Sequence, residues 1–175
     1  VSFTAHQDNY KEFPHVARLS KKLGVDRVWA DRLIPLGRGS SYKEKMLSPE
    51  ETREFFEIMQ NEMHHARKGL FKKTEVSMHR ALQFLVAGGR PYRCSAGDSL
   101  ITVQPNGDVY PCRRLPIYAG NLTKKPMIKI YYGNNVLSHL RHKKEIEDCS
   151  DCFYSRLCGG GLKCLSFSVH GNPFM

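Results

Sequence analysis

Four of the six cysteines fall in one short stretch, CSDCFYSRLCGGGLKC, from Cys149 to Cys164. The other two, Cys94 and Cys112, lie upstream, and no cysteine precedes Cys94. Written out, Cys94 is followed by twelve residues, Gly107, four residues and Cys112. A gap of 36 residues then leads into C-x2-C-x5-C-x5-C. Thiols that share a metal centre tie distant segments together, so their spacing restricts the fold more than composition does. At about 3% of the chain, cysteine is far below the roughly 8–10% of a disulfide scaffold. A C-x2-C knuckle in an intracellular chain reads first as a metal or redox site.

Thiolate is the soft ligand that zinc and iron–sulfur clusters select. C-x2-C lets two sulfurs converge on one centre, and the wider Cys152 to Cys158 interval suits a cluster larger than one ion. The segment SLITVQPNGDVYPC predicts a β-hairpin, with Leu100 to Val103 as one strand and Pro105 to Asp108 as the turn. The return strand starts at Val109 and Tyr110. A hairpin brings its ends together, so Cys94 and Cys112 can share a site. Gly159, Gly160 and Gly161 let the backbone approach a bulky centre and offer amides to its sulfurs. Zinc is the rival reading, but only Cys149 and Cys152 form a short knuckle, and six cysteines overfill one tetrahedral site. Disulfides are a third.

Ahead of Cys94 the pattern alternates between strand and helix. VSFTA reads as a strand, and Phe13, Val16, Leu19 and Leu23 follow at helical spacing, with Gly24 placed to cap the helix. VDRVWADRLIPLG reads as a second strand, which makes a βαβ unit with parallel strands. GRGSSYKEKML reads as a loop. Ser48, Pro49, Glu50 and Glu51 predict a capping box with proline at the first helical position. Phe55, Phe56, Met59 and Met63 form the apolar face of that helix, which is expected to end near Gly69. Met78 to Ala87 is either a further helix or a mixed segment. Asn134 or Asn135 can cap a short helix carrying Val136, Leu137 and Leu140.

These cysteines and their glycine resemble the SPASM domain, C-x9-15-G-x4-C, a gap, then C-x2-C-x5-C-x3-C and a final cysteine, at the C-terminus of radical S-adenosylmethionine (radical SAM) enzymes. Cys94, Gly107, Cys112, Cys149, Cys152 and Cys158 match it at the right spacings. The stretch RLIPLGRG, Arg32 to Gly39, is similar to the end of the barrel in those enzymes. The resemblance implies an α/β chain: residues 1–90 as the last βα units of a radical SAM partial (β/α)6 barrel, and residues 91–175 as a truncated, small α+β SPASM domain. It implies two auxiliary [4Fe–4S] clusters, one on Cys94, Cys112 and Cys164, the other on Cys149, Cys152 and Cys158. The interval before Cys164 is x5 rather than x3, because Leu162 and Lys163 intervene. The signature's final cysteine is expected just past Met175. The C-x3-C-x2-C motif that binds the cluster used to cleave S-adenosylmethionine is not in this sequence. The chain, which starts without Met or a signal-peptide pattern, is therefore expected to be a C-terminal fragment, inactive alone. The implied parent is a cytoplasmic, maturase-type enzyme that modifies a peptide or protein and draws on an electron-donor protein.

Ser2, Thr4, Asn9 and Arg38 lie where barrel residues of the family approach S-adenosylmethionine. Strand-end and loop polarity is the plainer reading of the same residues. His64, His65, His139 and His142 are expected to face solvent, Asp108 to serve its turn, and Trp29 to lie in the core. The formal charge of +10 invites an anionic partner, but the basic residues are scattered and no RNA-binding aromatic box accompanies them. No apolar run approaches the roughly 20 residues of a membrane span. The competing class is a zinc-stabilised module binding nucleic acid or protein, which iron and sulfide analysis would separate.

Overall fold

The computed structural model describes residues 1–67, 74–77, 81–142, 146 and 149–175. It divides into two compact units, Val1–Tyr92 and Arg93–Met175. The expected helix end at Gly69 and the start of the undecided segment at Met78 lie outside the described residues.

The first unit is built on three parallel strands, β1 (Ser2–Ala5), β2 (Arg27–Arg32) and β3 (Glu75–Ser77), in that spatial order. Helix α1 (Phe13–Lys22) lies between β1 and β2 in the chain, and α2 (Pro49–Arg67) between β2 and β3. A one-turn helix, α3 (Phe84–Ala87), follows. Parallel strands need such crossovers because no tight turn can join them. Alternation sorts the strand residues. Ala5, Val28, Ala30 and Val76 bury into a core with Phe13, Phe55, Phe56 and Met59 from the helices. Phe13 and Phe55 meet edge to face at 5.9 Å, a favoured aromatic geometry.

The opposite face carries Ser2 beside Trp29 and Thr4 beside Asp31, with Ser77 beside Trp29. This corrects the expectation for Trp29. It is half-buried and stands on the face away from the phenylalanine core, because its position is odd relative to Val28 and Ala30. A second correction concerns α1. Its buried residues are Phe13, Ala17 and Ser20, whereas Leu19 and Leu23 are 55% and 70% exposed. The helix is rotated so that the small residues pack and the leucines face outward.

The capping box forms as expected. The Glu51 amide donates to Ser48 Oγ at 3.1 Å, and the Ser48 amide donates to the Glu51 carboxylate at 2.8 Å. The Gly24 amide donates to the Lys21 carbonyl and that of Val25 to the Ser20 carbonyl, which is the paired bonding that ends a helix. GRGSSYKEK is not an open loop but a run of tight 3-10 turns from Gly37 to Lys45.

The second unit holds an antiparallel sheet of β4 (Thr102–Val103), β5 (Asp108–Tyr110) and β6 (Gly120–Asn121). Among the described residues four helices follow: α4 (Met127–Gly133), α5 (Asn135–His142), α6 (Ser155–Cys158) and α7 (Lys163–His170). Val109, Ala119, Ile130 and Leu137 form its apolar centre. Asn134 caps α5 by accepting from the Leu137 amide at 3.1 Å, and its amide group donates to the Ala119 carbonyl at 2.8 Å. One side chain thus starts the helix and ties it to the sheet.

Candidate metal centres

The hairpin positions Cys94 and Cys112. Its turn is held by Asn121, whose amide donates to the Asn106 carbonyl at 3.0 Å and to Asp108 Oδ1 at 2.8 Å. Gly107 sits under that clamp at φ +86°, where a Cβ would come 3.0 Å from Asn121 Oδ1. Both the backbone angle and the lack of space require glycine there. At the open end, the Gly97 amide donates to the Pro111 carbonyl at 2.9 Å, which draws the segment after Cys94 onto the segment before Cys112. The Arg114 amide donates to Cys112 Sγ at 3.5 Å, the kind of bond that stabilises thiolate.

The second set sits on consecutive turns. The Cys152 amide donates to the Cys149 carbonyl at 3.1 Å and the Ser155 amide to the Cys152 carbonyl at 2.9 Å. Helix α6 then ends on Cys158, and Gly159, Gly160 and Gly161 follow at φ +62°, +77° and +70°. Three left-handed residues in succession turn the chain sharply into α7, which carries Cys164. Cys158 and Cys164 are buried, Cys94, Cys112 and Cys149 half-buried, and Cys152 exposed. All six are described, and none is in a disulfide.

Lys163 lies among them and was not singled out by sequence reasoning. It is 7% exposed, and its ammonium donates to the Gly159 carbonyl at 2.7 Å. Burial pushes it below the ordinary lysine value, Cys94, Cys149 and Cys158 pull it back up, and Arg93 pushes it down. Those three thiols therefore share its neighbourhood although they come from separate parts of the chain. Among the described residues, no three Cys, His, Asp or Glu side chains are gathered at the spacing of a single bound ion. The donor set is thiol throughout, with a buried cation and a sulfur-directed amide beside it. That chemistry fits an iron–sulfur centre.

Ser2 and Thr4 are exposed on one sheet face, and the Asn9 side chain donates to the Thr4 carbonyl at 3.1 Å. The same side chain accepts from the His6 amide at 2.8 Å, so it braces the loop after β1. Arg38 is exposed in the 3-10 run, and its carbonyl accepts from Ser41 Oγ. Asp31 is buried on the Ser2–Thr4 face; strand parity could have found it. His64, His65, His139 and His142 are exposed. Asp108 serves the turn. No described helix is long and apolar enough to cross a membrane.

Comparison with known proteins agrees with this chemistry. Residues 94–153 match the SPASM family, an iron–sulfur cluster-binding domain. The match takes in Cys94, Cys112, Cys149 and Cys152. The AdoMet-dependent heme synthase of Methanosarcina barkeri is 26% identical over 91% of this chain and 49% of its own length. That of Nitratidesulfovibrio vulgaris is 21% identical over 91% of this chain and 47% of its own. The chain spans about half the length of these curated relatives. A solved structure, native anSMEcpe with bound AdoMet, shares the fold at a TM-score of 0.62 and 18% identity, over 99% of this chain and 50% of that one.

Proposed function

We propose that this chain, a SPASM iron–sulfur domain joined to strands and helices folded as in a radical SAM enzyme, supplies the auxiliary cluster site of such an enzyme. The observation that carries the reading is the all-thiol donor set: Cys94 and Cys112 at the two ends of the clamped hairpin, and Cys149, Cys152 and Cys158 on consecutive turns that lead through the glycines to buried Cys164. In this reading Cys94, Cys112 and Cys164 hold one [4Fe–4S] cluster, and Cys149, Cys152 and Cys158 hold another. Bound there, such clusters supply one-electron couples. The protein's own part is to fix the thiols on a clamped hairpin and a glycine turn, to donate an amide to Cys112, and to keep Lys163 beside them. The Ser2, Thr4 and Asn9 edge of the parallel sheet, with Arg38, is the proposed S-adenosylmethionine side.

The substrate reading follows the two relatives, both named heme synthases, and assigns a heme-forming reaction to the whole protein. The cytoplasm and an electron-donor protein complete the proposal. Anaerobically purified, reduced intact protein is expected to consume S-adenosylmethionine and to convert a tetrapyrrole precursor. Turnover of a peptide and not of a tetrapyrrole would assign the peptide or protein substrate expected from the sequence. No consumption of S-adenosylmethionine with iron bound would contradict the enzyme reading.

A further inference from the structure

The two residues by which this sequence departs from the family spacing are Leu162 and Lys163, inserted between the glycine turn and Cys164. We propose that Lys163 is the cation shared by the two thiolate sets, one fixed charge that raises the reduction potential of the centres on both sides. The proposal rests on the two-cluster reading above. Lys163 adjoins Cys164 in the chain, and its ammonium is bonded to the carbonyl of Gly159, the residue after Cys158. The side chain therefore spans the turn that separates the last thiol of one set from the buried thiol of the other. Cys94 and Cys149 also lie within its electrostatic reach. Its position is fixed from a third side, with the ammonium 5.4 Å from the centroid of the Phe174 ring. Phe174 is held in turn by its amide, which donates to Asn172 Oδ1 at 3.0 Å.

A buried ammonium without a nearby anion is costly. Thiolate-bound clusters carry negative charge and gain more on reduction, so a positive charge held nearby favours the reduced state. The carbonyl of Gly159 alone would be satisfied by any N–H donor of similar reach. A purely structural role therefore predicts that Lys163→Gln behaves as wild type.

The test is a redox titration of reconstituted intact protein, followed by electron paramagnetic resonance, with iron content measured in parallel. Lys163→Gln and Lys163→Met are expected to lower the potentials of both clusters, and a shift confined to one of them overturns the shared role. At fixed poise the ratio of reduced to oxidised cluster should fall about tenfold, or about 59 mV for a one-electron couple. Lys163→Arg should keep the wild-type potential. Loss of iron from the Gln and Met variants with retention in the Arg variant also supports the charge role. Unshifted potentials in fully loaded Gln and Met variants overturn it, as does iron loss from the Arg variant. Wild-type protein that takes up no cluster overturns the two-cluster reading itself, and this inference with it.

Discussion

Replacing Gly160 by alanine tests how rigidly the glycine turn sets the path from Cys158 to Cys164. Gly160 has φ +77°, a left-handed angle that alanine adopts at a cost of about 1–2 kcal/mol. A Cβ there would overlap Cδ1 of Ile146 and lie 3.1 Å from its Cγ1. Ile146 is 5% exposed, so it has little room to retreat, and overpacking of this kind adds about 1–3 kcal/mol. The two effects together predict a loss of about 2–5 kcal/mol. Denaturant unfolding of the loaded protein measures it through the midpoint at constant slope. Ile146→Val removes the offending methyl at its own cost of about 0.5–1.5 kcal/mol. The double variant should then recover the overpacking part and leave the backbone part. If Gly160→Ala is as stable as wild type to within about 0.5 kcal/mol, the turn is not held as described. If the double variant shows simple additivity, the clash with Ile146 is not its cause.

Ser48→Ala removes the oxygen that accepts from the Glu51 amide and should destabilise the first unit by about 0.5–2 kcal/mol, measured by thermal or denaturant unfolding. Phe55→Ala empties a fully buried site between Phe13 and Phe56 and should cost about 3–5 kcal/mol in the same assay. Glu54 accepts from the Tyr10 hydroxyl at 2.6 Å and pairs with Lys11 at 3.2 Å, which holds its carboxyl below the ordinary value. Its contribution is complete above the unfolded value of about 4.3 and is lost as pH falls through the lower folded value. Stability measured against pH should therefore fall less steeply in acid for Glu54→Gln, and an unchanged slope would remove Glu54 from the account. Cys112→Ser should reduce bound iron and sulfide while leaving the unfolding of the first unit unchanged.

What the sequence made legible was mostly local. The Ser48–Glu51 box, the Asn134 cap and the Gly107 turn each depend on residues within a few positions of one another, and each forms as expected. Strand β6 was hidden because Gly120–Asn121 is two residues long and has no alternation to read. It pairs where the Asn121 side chain clamps the hairpin turn from across the sheet. Alternation along β2 sets Trp29 opposite Val28 and Ala30, but which of the two faces meets the helices depends on how the helices pack, which no window of a few residues contains. The outward turn of Leu19 and Leu23 likewise depends on how α1 is seated, with Ala17 and Ser20 buried in their place. For the candidate centres, cysteine spacing was informative in that residues 94–153 match the iron–sulfur family it pointed to. The burial of Lys163 was not, because in sequence it is one of many scattered basic residues and only the folded glycine turn brings it among the thiols.

The most direct test of the account is iron and acid-labile sulfide per chain after anaerobic reconstitution. The account predicts both, in equal amounts and approaching about eight of each for two [4Fe–4S] clusters in the intact protein. Stoichiometric zinc with no sulfide would contradict it.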